Sequence, residues 1–445
     1  MSVVLVFVLD GPGRPPLKRG KKVNPVPMWI TPYLEELVNG FGFFIHQAPG
    51  EADAELAKLN SAGMIDAIIT DDSDVLVFGG QSVICRSPIA KSDDYDSVIL
   101  YTVDNVEHSD GVKLTRGGLL LLALLVGGDY DPGIDGCGAV VAQALAECGF
   151  GDELLDAVLT SKGPDDLQRF LEKWRHELRH ELLSNSHHHL KHRKPSLACK
   201  ITNDFPDLAV LKQYVDPLTS WSSQSGCHIP DGVAWRSREP MIPRIAAFCV
   251  QRFGWGKDAE IVKRLHAKLW EGVAFRMICS PLVRYDSTRR LVSTPATNAT
   301  IVSHKRSMIA AAHLTPSLRV VVSTGNFQDL MGVPWSNVSY KESIPVHIPI
   351  SILQFRIPSL YRDLGSHKLK RKQNMSAAFL SGSVSTKDRY NHTPAERLPV
   401  TREVIEVSDD EADGKVLKVG HALSLQIIEL TDSDGSDGHG TIDLT

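Results

Sequence analysis

The sequence has no paired cysteines. Its seven cysteines form no CxxC and follow no regular spacing, which excludes a zinc ribbon or a disulfide frame and fits a reduced, intracellular protein. No apolar run is long enough to span a bilayer, so no membrane partner is expected. The apolar start, MSVVLVFVLD, has no basic flank and runs into Gly11-Pro12, so it reads as a buried strand and not as a leader. Excess positive charge is also missing: 48 Lys and Arg face 53 Asp and Glu, for a net charge of -5. Bulk charge thus argues against a polyanionic partner. The distribution argues otherwise, because the acids crowd into the last forty or so residues and leave the rest near neutral to basic.

What is present is a globular composition, 42% hydrophobic and 23% charged, over 445 residues. That length implies two or three domains. The most informative stretch is Ala48 to Gly79, APGEADAELAKLNSAGMIDAIITDDSDVLVFG. Glu51 and Asp53 open a helix, where acids suit the positive end of the dipole. Asp72 and Asp74 follow the strand Ala67-Ile68-Ile69, at the carboxyl edge where open α/β sheets carry ligands. Each pair alone reads as a cap or a turn. Four carboxylates converging on one sheet edge repel one another unless a divalent cation lies between them. Hard oxygen donors suit Mg2+ or Mn2+.

In chain order, Val3–Leu9 reads as a parallel strand covered on both faces and ending at Asp10. The segment RPPLKRGKKVNP follows, with Arg14, Lys18, Arg19, Lys21 and Lys22. It reads as a solvated basic loop or as an arm that contacts phosphates beside Asp10. A helix is expected over Ile30–Phe41, and strands over Phe43–His46, Val75–Ile84 and Val98–Val103. Leu114–Val126 is a buried helix, and GGDYDPGIDGCG then makes a tight turn with Gly136 and Gly138 into a helix at Ala139–Cys148. Glycines before a helix start let backbone N–H groups close on a phosphate, and two helices flanking such a turn are a helix-hairpin-helix, which grips duplex backbone without reading sequence. Gly151–Leu183 reads as helical. Ser184–Lys194, SNSHHHLKHRK, has no carboxylate or cysteine framing it in sequence, so it reads as a flexible loop, DNA-facing or merely solvated. Helices at Ile242–Phe253 and Ala259–Leu269 should close this domain. Short β-type runs at Ala299–His304, Leu318–Ser323 and Val346–Ile350 point to a small β-rich domain. A basic cluster at Lys368–Lys372 fits nuclear import, and the polar stretch beyond it reads as disordered.

The tail repeats one pattern. VIEVSDDE (with Val404, Ile405 and Val407), IIELTDSD (with Ile427, Ile428 and Leu430) and TIDLT place aliphatics around a single acid. Such a segment can add as a strand to a partner's sheet edge, with its acids meeting a basic rim. That is the make-up of a SUMO-interacting motif, with SUMO or a sumoylated protein as the partner.

The blocks DGPGRPPLKR, APGEADAEL, ITDDSDVLVFG and GGDYDPGIDGCG, in this order, resemble the XPG/flap-endonuclease family of structure-specific nucleases. The short spacer between Asp10 and Glu51 is most similar to the GEN/Yen Holliday-junction resolvases within it. The resemblance implies an α/β fold with a mostly parallel-sheet nuclease core of the PIN/5′-nuclease kind. A helix-hairpin-helix region, a chromodomain-like β domain and a disordered tail would follow. The expected boundaries are 1–110, 111–280, 281–364 and 365–445. It implies a metal site of Asp10, Glu51, Asp53, Asp72, Asp74 and Asp129, holding two Mg2+ or Mn2+ ions. Lys18 would lie near the scissile phosphate, and a monovalent cation, usually K+, would sit in the turn of Gly136 and Gly138. Two departures stand out. The family has Glu where this chain has Asp53, and the family's N-terminal strand with a further metal-binding Asp has no counterpart before Asp10.

The expected function is therefore a nuclear endonuclease that cuts four-way junctions and 5′ flaps in DNA repair and recombination, with two copies on one junction. The alternative is a catalytically impaired junction-binding scaffold that docks through its SUMO-interacting tail. Changing Ile427, Ile428 and Leu430 together to Ala should abolish capture of the chain on SUMO beads; unchanged capture would remove the motif.

Overall fold

A parallel strand pair starts the fold. In the computed structural model, which describes residues 3–23, 29–86, 98–255, 258–306, 317–325, 327 and 343–363, β1 (Val6–Leu9) pairs with β4 (Phe44–Gln47) in the register Val6↔Phe44 to Leu9↔Gln47. Between them lie a hairpin, β2 (Leu17–Lys18) with β3 (Lys21–Lys22), and the helix α1 (Thr31–Gly40), which begins at a proline. Helix α2 (Ala52–Ser61) follows β4, with Glu51 at its N-cap. Then come β5 (Ile68–Ile69), the single helical turn α3 (Asp74–Val77), β6 (Ser82–Arg86) and β7 (Val98–Thr102). β5 and β6 run parallel and β6 and β7 antiparallel.

The strands expected up to β4 appear; β4 agrees to within a residue at each end, whereas β1 starts at Val6, three residues later than expected. The run Val75–Ile84 does not form one strand. Asp72 Oδ1 accepts the N–H of Asp74 at 2.9 Å, which turns the chain into α3, and Gly79 at φ +101° then breaks it before β6. Val75 and Phe78 are both buried one helical turn apart, and an unbroken apolar run such as Val75–Phe78 does not tell a helix from a strand. The sheet also departs from a mostly parallel one. Among the described residues it is split into β1–β4 and a mixed β5–β6–β7.

The helices that follow are α4 (Val103–His108), α5 (Arg116–Val126), α6 (Ala139–Glu147), α7 (Phe150–Thr160), α8 (Pro164–Ser184), α9 (Pro195–Ala198) and α10 (Leu208–Val215). The expected Gly151–Leu183 helix is thus two, separated where Pro164 starts α8. Helix α5 is apolar on nearly every face and lies in the middle of the first core, with Leu120, Leu121, Leu124 and Leu125 at 2% exposure or less. Its crossing with α7 is backbone-close. A Cβ on Gly151 would lie 2.1 Å from the Gly117 carbonyl oxygen.

The tract Ser184–Lys194 is pinned, not free. Asn185 caps α8 at φ +53°, and its amide both donates to the Leu190 carbonyl (2.8 Å) and accepts from the Leu190 N–H (3.1 Å). The expectation of an unframed loop also fails, because folding brings buried Glu181 to its histidines: His187 Nδ1 lies 2.8 Å from Glu181 Oε2.

Helices α11 (Ile242–Phe253), α12 (Asp258–Lys268) and α13 (Trp270–Cys279) lead into a five-stranded antiparallel sheet. Its strands are β8 (Arg284–Asp286), β9 (Leu291–Ser293), β10 (Asn298–Arg306), β11 (Ser317–Ser323) and β12 (Ser343–Pro349), ordered β12-β11-β10-β9-β8, and α14 (Ile350–Arg356) follows. The three β-type runs read from the sequence are β10, β11 and β12. A second buried cluster joins these strands to α11 and α13 through Ile245, Trp270, Ile278, Val320 and Val346. The division expected near residue 280 therefore falls inside one packed unit. No described helix is long and apolar enough to cross a membrane. The tail residues Val404, Ile405, Val407, Ile427, Ile428 and Leu430 lie outside the described residues, as does the basic cluster.

Leu121→Ala should cost about 3 kcal/mol of unfolding free energy in a urea titration, from lost burial plus a cavity. Gly151→Ala should cost at least as much, because the helices must separate to admit one methyl group. A Gly151→Ala chain as stable as wild type would contradict the close crossing.

Candidate active site

The acids that the sequence singled out arrive from four places in the fold. Asp10 ends β1, and its Oδ1 accepts the N–H of Ala52 at 2.8 Å, so one carboxylate oxygen caps α2. Gly11 N–H donates to the Gly50 carbonyl, and a Cβ on Gly11 would lie 1.9 Å from the Ala48 carbonyl oxygen. Only glycine lets the turn after β1 sit this close to the turn before α2. Glu51 is buried at the N-cap, and Asp53 lies in the first turn of α2. Asp72 and Asp74 flank the start of α3. Asp129, buried, lies in the turn after α5.

These groups share one electrostatic field. Burial, then Asp72, and behind it Asp10 and Glu51, push the Asp53 carboxyl up to about 7, with Lys18 pulling the other way. Burial, then Asp72, Asp129 and Glu51, push Asp74 up to about 7 against the same lysine. Like charges held together in a half-dry rim raise one another in this manner.

The compensating cations come from the β2–β3 hairpin. Arg19 (φ +48°) and Gly20 (φ +72°) form its two-residue turn, the left-handed pair that such a tight hairpin needs. Lys18 Nζ pairs with Glu51 Oε1 and lies 3.2 Å from Asp129 Oδ2. Burial opposes its charge, but Glu51 and Asp129 outweigh it and hold the ammonium charged. Arg19 Nε donates to Asp129 Oδ1 at 2.7 Å and Arg14 Nη1 to Asp10 Oδ2 at 2.8 Å. Lys21 and Lys22, one strand further on, are exposed. The segment is thus a folded hairpin that puts Lys18 and Arg19 on the acids and leaves two lysines outward.

Two tyrosines in this site were not singled out in the sequence. Tyr130 donates its hydroxyl to Glu51 Oε2, and burial together with Glu51 pushes its phenol far up, so it stays a donor. Tyr214, from α10, stacks edge-on against it at 4.8 Å and is itself pushed up by burial and by Asp74, Asp129 and Glu51. Tyr130 lies between two aspartates of the block that supplied Asp129, a signal the sequence offered. Nothing near Tyr214 in sequence marks it.

The donor set fits a hard divalent cation. Six carboxylates meet three paired cations, and two of the acids remain uncompensated at about 7. The Lys18 ammonium, between Glu51 and Asp129, stands where a cation is required. Among the described residues, the trio whose ligand atoms all fall within 4.8 Å of one another is Cys148, Glu181 and His187, not any three of these carboxylates.

The expected helix-hairpin-helix is α5, the turn at 127–138, and α6. Gly136 takes φ +84° in that turn, and Gly138 is the extended N-cap of α6. Ile134 N–H donates to the Leu125 carbonyl and Cys137 N–H to the Ile134 carbonyl, which fold the turn back on α5. Lys200 Nζ ties to the turn through the Asp135 carbonyl (2.7 Å) and Asp135 Oδ2 (2.6 Å). Asp129 lies in this turn, so the acid rim and the hairpin share a segment.

Residues 42–129, which carry five of the six acids, match the XPG I-region family model. The chain is 29% identical to the DNA excision repair protein ERCC-5 of Mus musculus over 223 residues, 50% of this chain and 17% of that protein. It is 34% identical to flap endonuclease GEN-like 1 of Oryza sativa subsp. japonica over 137 residues, 30% of this chain and 21% of that protein. The matched region is thus about a fifth of these relatives' length. Among solved structures, a eukaryotic junction-resolving enzyme GEN-1 with potassium matches at TM-score 0.59 and 25% identity, over 82% of this chain and 81% of that one. With the acidic blocks in order, their carboxylates on one rim and a resolvase-like fold over most of its length, this chain resembles the XPG/flap-endonuclease family and carries its I-region.

Proposed function

We propose that the chain is a divalent-metal-dependent, structure-specific DNA endonuclease acting on four-way junctions and 5′ flaps in repair and recombination. The observation that carries this reading is the rim itself, where the half-buried carboxyls of Asp53 and Asp74 are pushed up to about 7 although Lys18 and Arg19 already sit among the acids. A fold does not keep such a repulsive cluster for stability, since uncompensated buried charge is costly. Asp10, Glu51, Asp53 and Asp72 would hold one Mg2+ or Mn2+ ion, and Asp74 and Asp129 would serve a second. Bound there, the metal would lower the pKa of a coordinated water and stabilise the leaving oxygen of an in-line displacement.

The chain's own groups would do the rest. Lys18 would move from Glu51 to the phosphate and neutralise charge that grows in the transition state. Tyr130, kept protonated, orients Glu51 by its hydrogen bond. The hairpin at Gly136 and Gly138 would hold a duplex arm by its backbone N–H groups, with a monovalent cation such as K+ in the turn. Exposed Lys21 and Lys22 would add phosphate contacts, with Arg14 and Arg19 joining once the acids are neutralised. Selection by shape and bendability follows, with few base contacts. Symmetric cutting of a junction would take two copies on one DNA. The proposed setting is the nucleus, with the SUMO-interacting tail as a docking element and the β-rich unit as a chromodomain-like module.

With Mg2+, the full chain should nick junction and flap substrates. Asp72→Ala should slow this at least about a hundredfold, since loss of a direct ligand exceeds the loss of an outer-shell partner. Lys18→Ala should lower the single-turnover rate about a hundredfold with little change in junction affinity. An Asp72→Ala chain that cuts as fast as wild type would sink the assignment. Junction binding by a wild-type chain that never cuts in Mg2+ or Mn2+ would favour the scaffold reading instead.

A readout independent of cleavage exists as well. Asp74→Asn should raise the melting temperature of the metal-free chain, because it removes one repelling carboxylate. It should also abolish most of the upward shift that Mg2+ gives the wild type. If Asp74→Asn melts lower and keeps the full shift, Asp74 holds no metal.

A further inference from the structure

We infer that the chain carries a second metal site, of the zinc type, built from Cys148, Glu181 and His187 and separate from the acid rim. Cys148 is the C-cap residue of α6, Glu181 lies in the last turn of α8, and His187 lies two residues beyond the left-handed cap Asn185. One ligand atom from each falls within 4.8 Å of the other two. A thiolate, an imidazole and a carboxylate together suit a borderline-soft ion such as Zn2+, and not the hard ions expected at the rim.

The site is organised before any ion enters. Glu181 is 1% exposed. The N–H groups of Ser186 and His187 each donate to its carboxylate at 3.2 Å, and the Ser186 hydroxyl also donates to it. Outer hydrogen bonds that orient a ligating carboxylate are what tuned metal sites show. The Asn185–Leu190 bonds fix the loop that presents His187.

Binding balances simply. The thiol proton leaves to solvent as the metal–sulfur bond forms. Neutral His187 then carries its proton on Nε2, so that Nδ1 can bind the ion in place of its hydrogen bond to Glu181. The fourth position stays open on the exposed side, where His187 is half solvent-facing, next to the His189–Glu147 pair at 3.1 Å. The ion would clamp the end of α6, the second hairpin helix, to α8 and to the basic loop that ends at Lys194. None of this depends on the nuclease reading.

The test uses the full chain, freed of metal by chelator, with Co2+ as the probe. Wild type should develop a thiolate-to-cobalt charge-transfer band that added Zn2+ bleaches. Carboxylates at the acid rim cannot produce that band, so Asp72→Ala should keep it. Cys148→Ala and His187→Ala should lose it; His187 is exposed and Cys148 half-buried, and a melting curve checks that each variant folds. Zn2+ should raise the melting temperature of wild type and not of His187→Ala. No band in wild type, or a band that persists in Cys148→Ala, overturns the site.

Discussion

Mutual repulsion among carboxylates on one rim is the constraint around which the first half of this protein is arranged. Two unit charges about 4 Å apart interact by about 1 kcal/mol in water and by several times that at the dielectric of a protein surface. The fold answers part of that cost with the hairpin cations Lys18 and Arg19 and with Arg14 on Asp10. It leaves Asp53 and Asp74 unanswered. An arrangement that is only partly neutralised by the protein accepts further positive charge from outside, unlike a structural salt-bridge network in which every charge is answered.

Placement of those acids depends on backbone approaches that side chains would block. Gly11 lets the end of β1 lie against the segment before α2, which delivers Asp10 and Glu51 to one place. The Arg19-Gly20 turn folds a basic segment back onto the acids when it could have left it in solvent. Asp129 is carried in by the turn after α5, and that turn is also the hairpin. The acid rim and the glycine turn are therefore mechanically one piece, anchored on the buried helix α5.

Helix ends do similar work on the other side of the hairpin. Cys148 closes α6, and Glu181 and His187 close α8. A histidine-rich stretch that looks unframed in one dimension is framed in three, because a helix cap bends it back over a buried carboxylate. Local chemistry also explains why Val75–Phe78 did not stay extended: an unbroken apolar run carries neither period, and the Asp74 N–H donated to the Asp72 carboxylate turns the chain into α3.

The acidic blocks, the hairpin glycines, the buried helix and the β runs after residue 290 were legible because each is a local pattern: an i, i+2 acid pair, a glycine turn between helices, an apolar period. The family likeness rested on those same short blocks in order. What tertiary structure alone decided was who meets whom. Lys18 bonds to Glu51 and Asp129, Tyr214 packs on Tyr130, α11 and α13 join the β unit, and Cys148 meets His187. Each of these contacts spans tens of residues or more. They are fixed by burial and electrostatic satisfaction in the folded chain, and no period or motif along the chain encodes them.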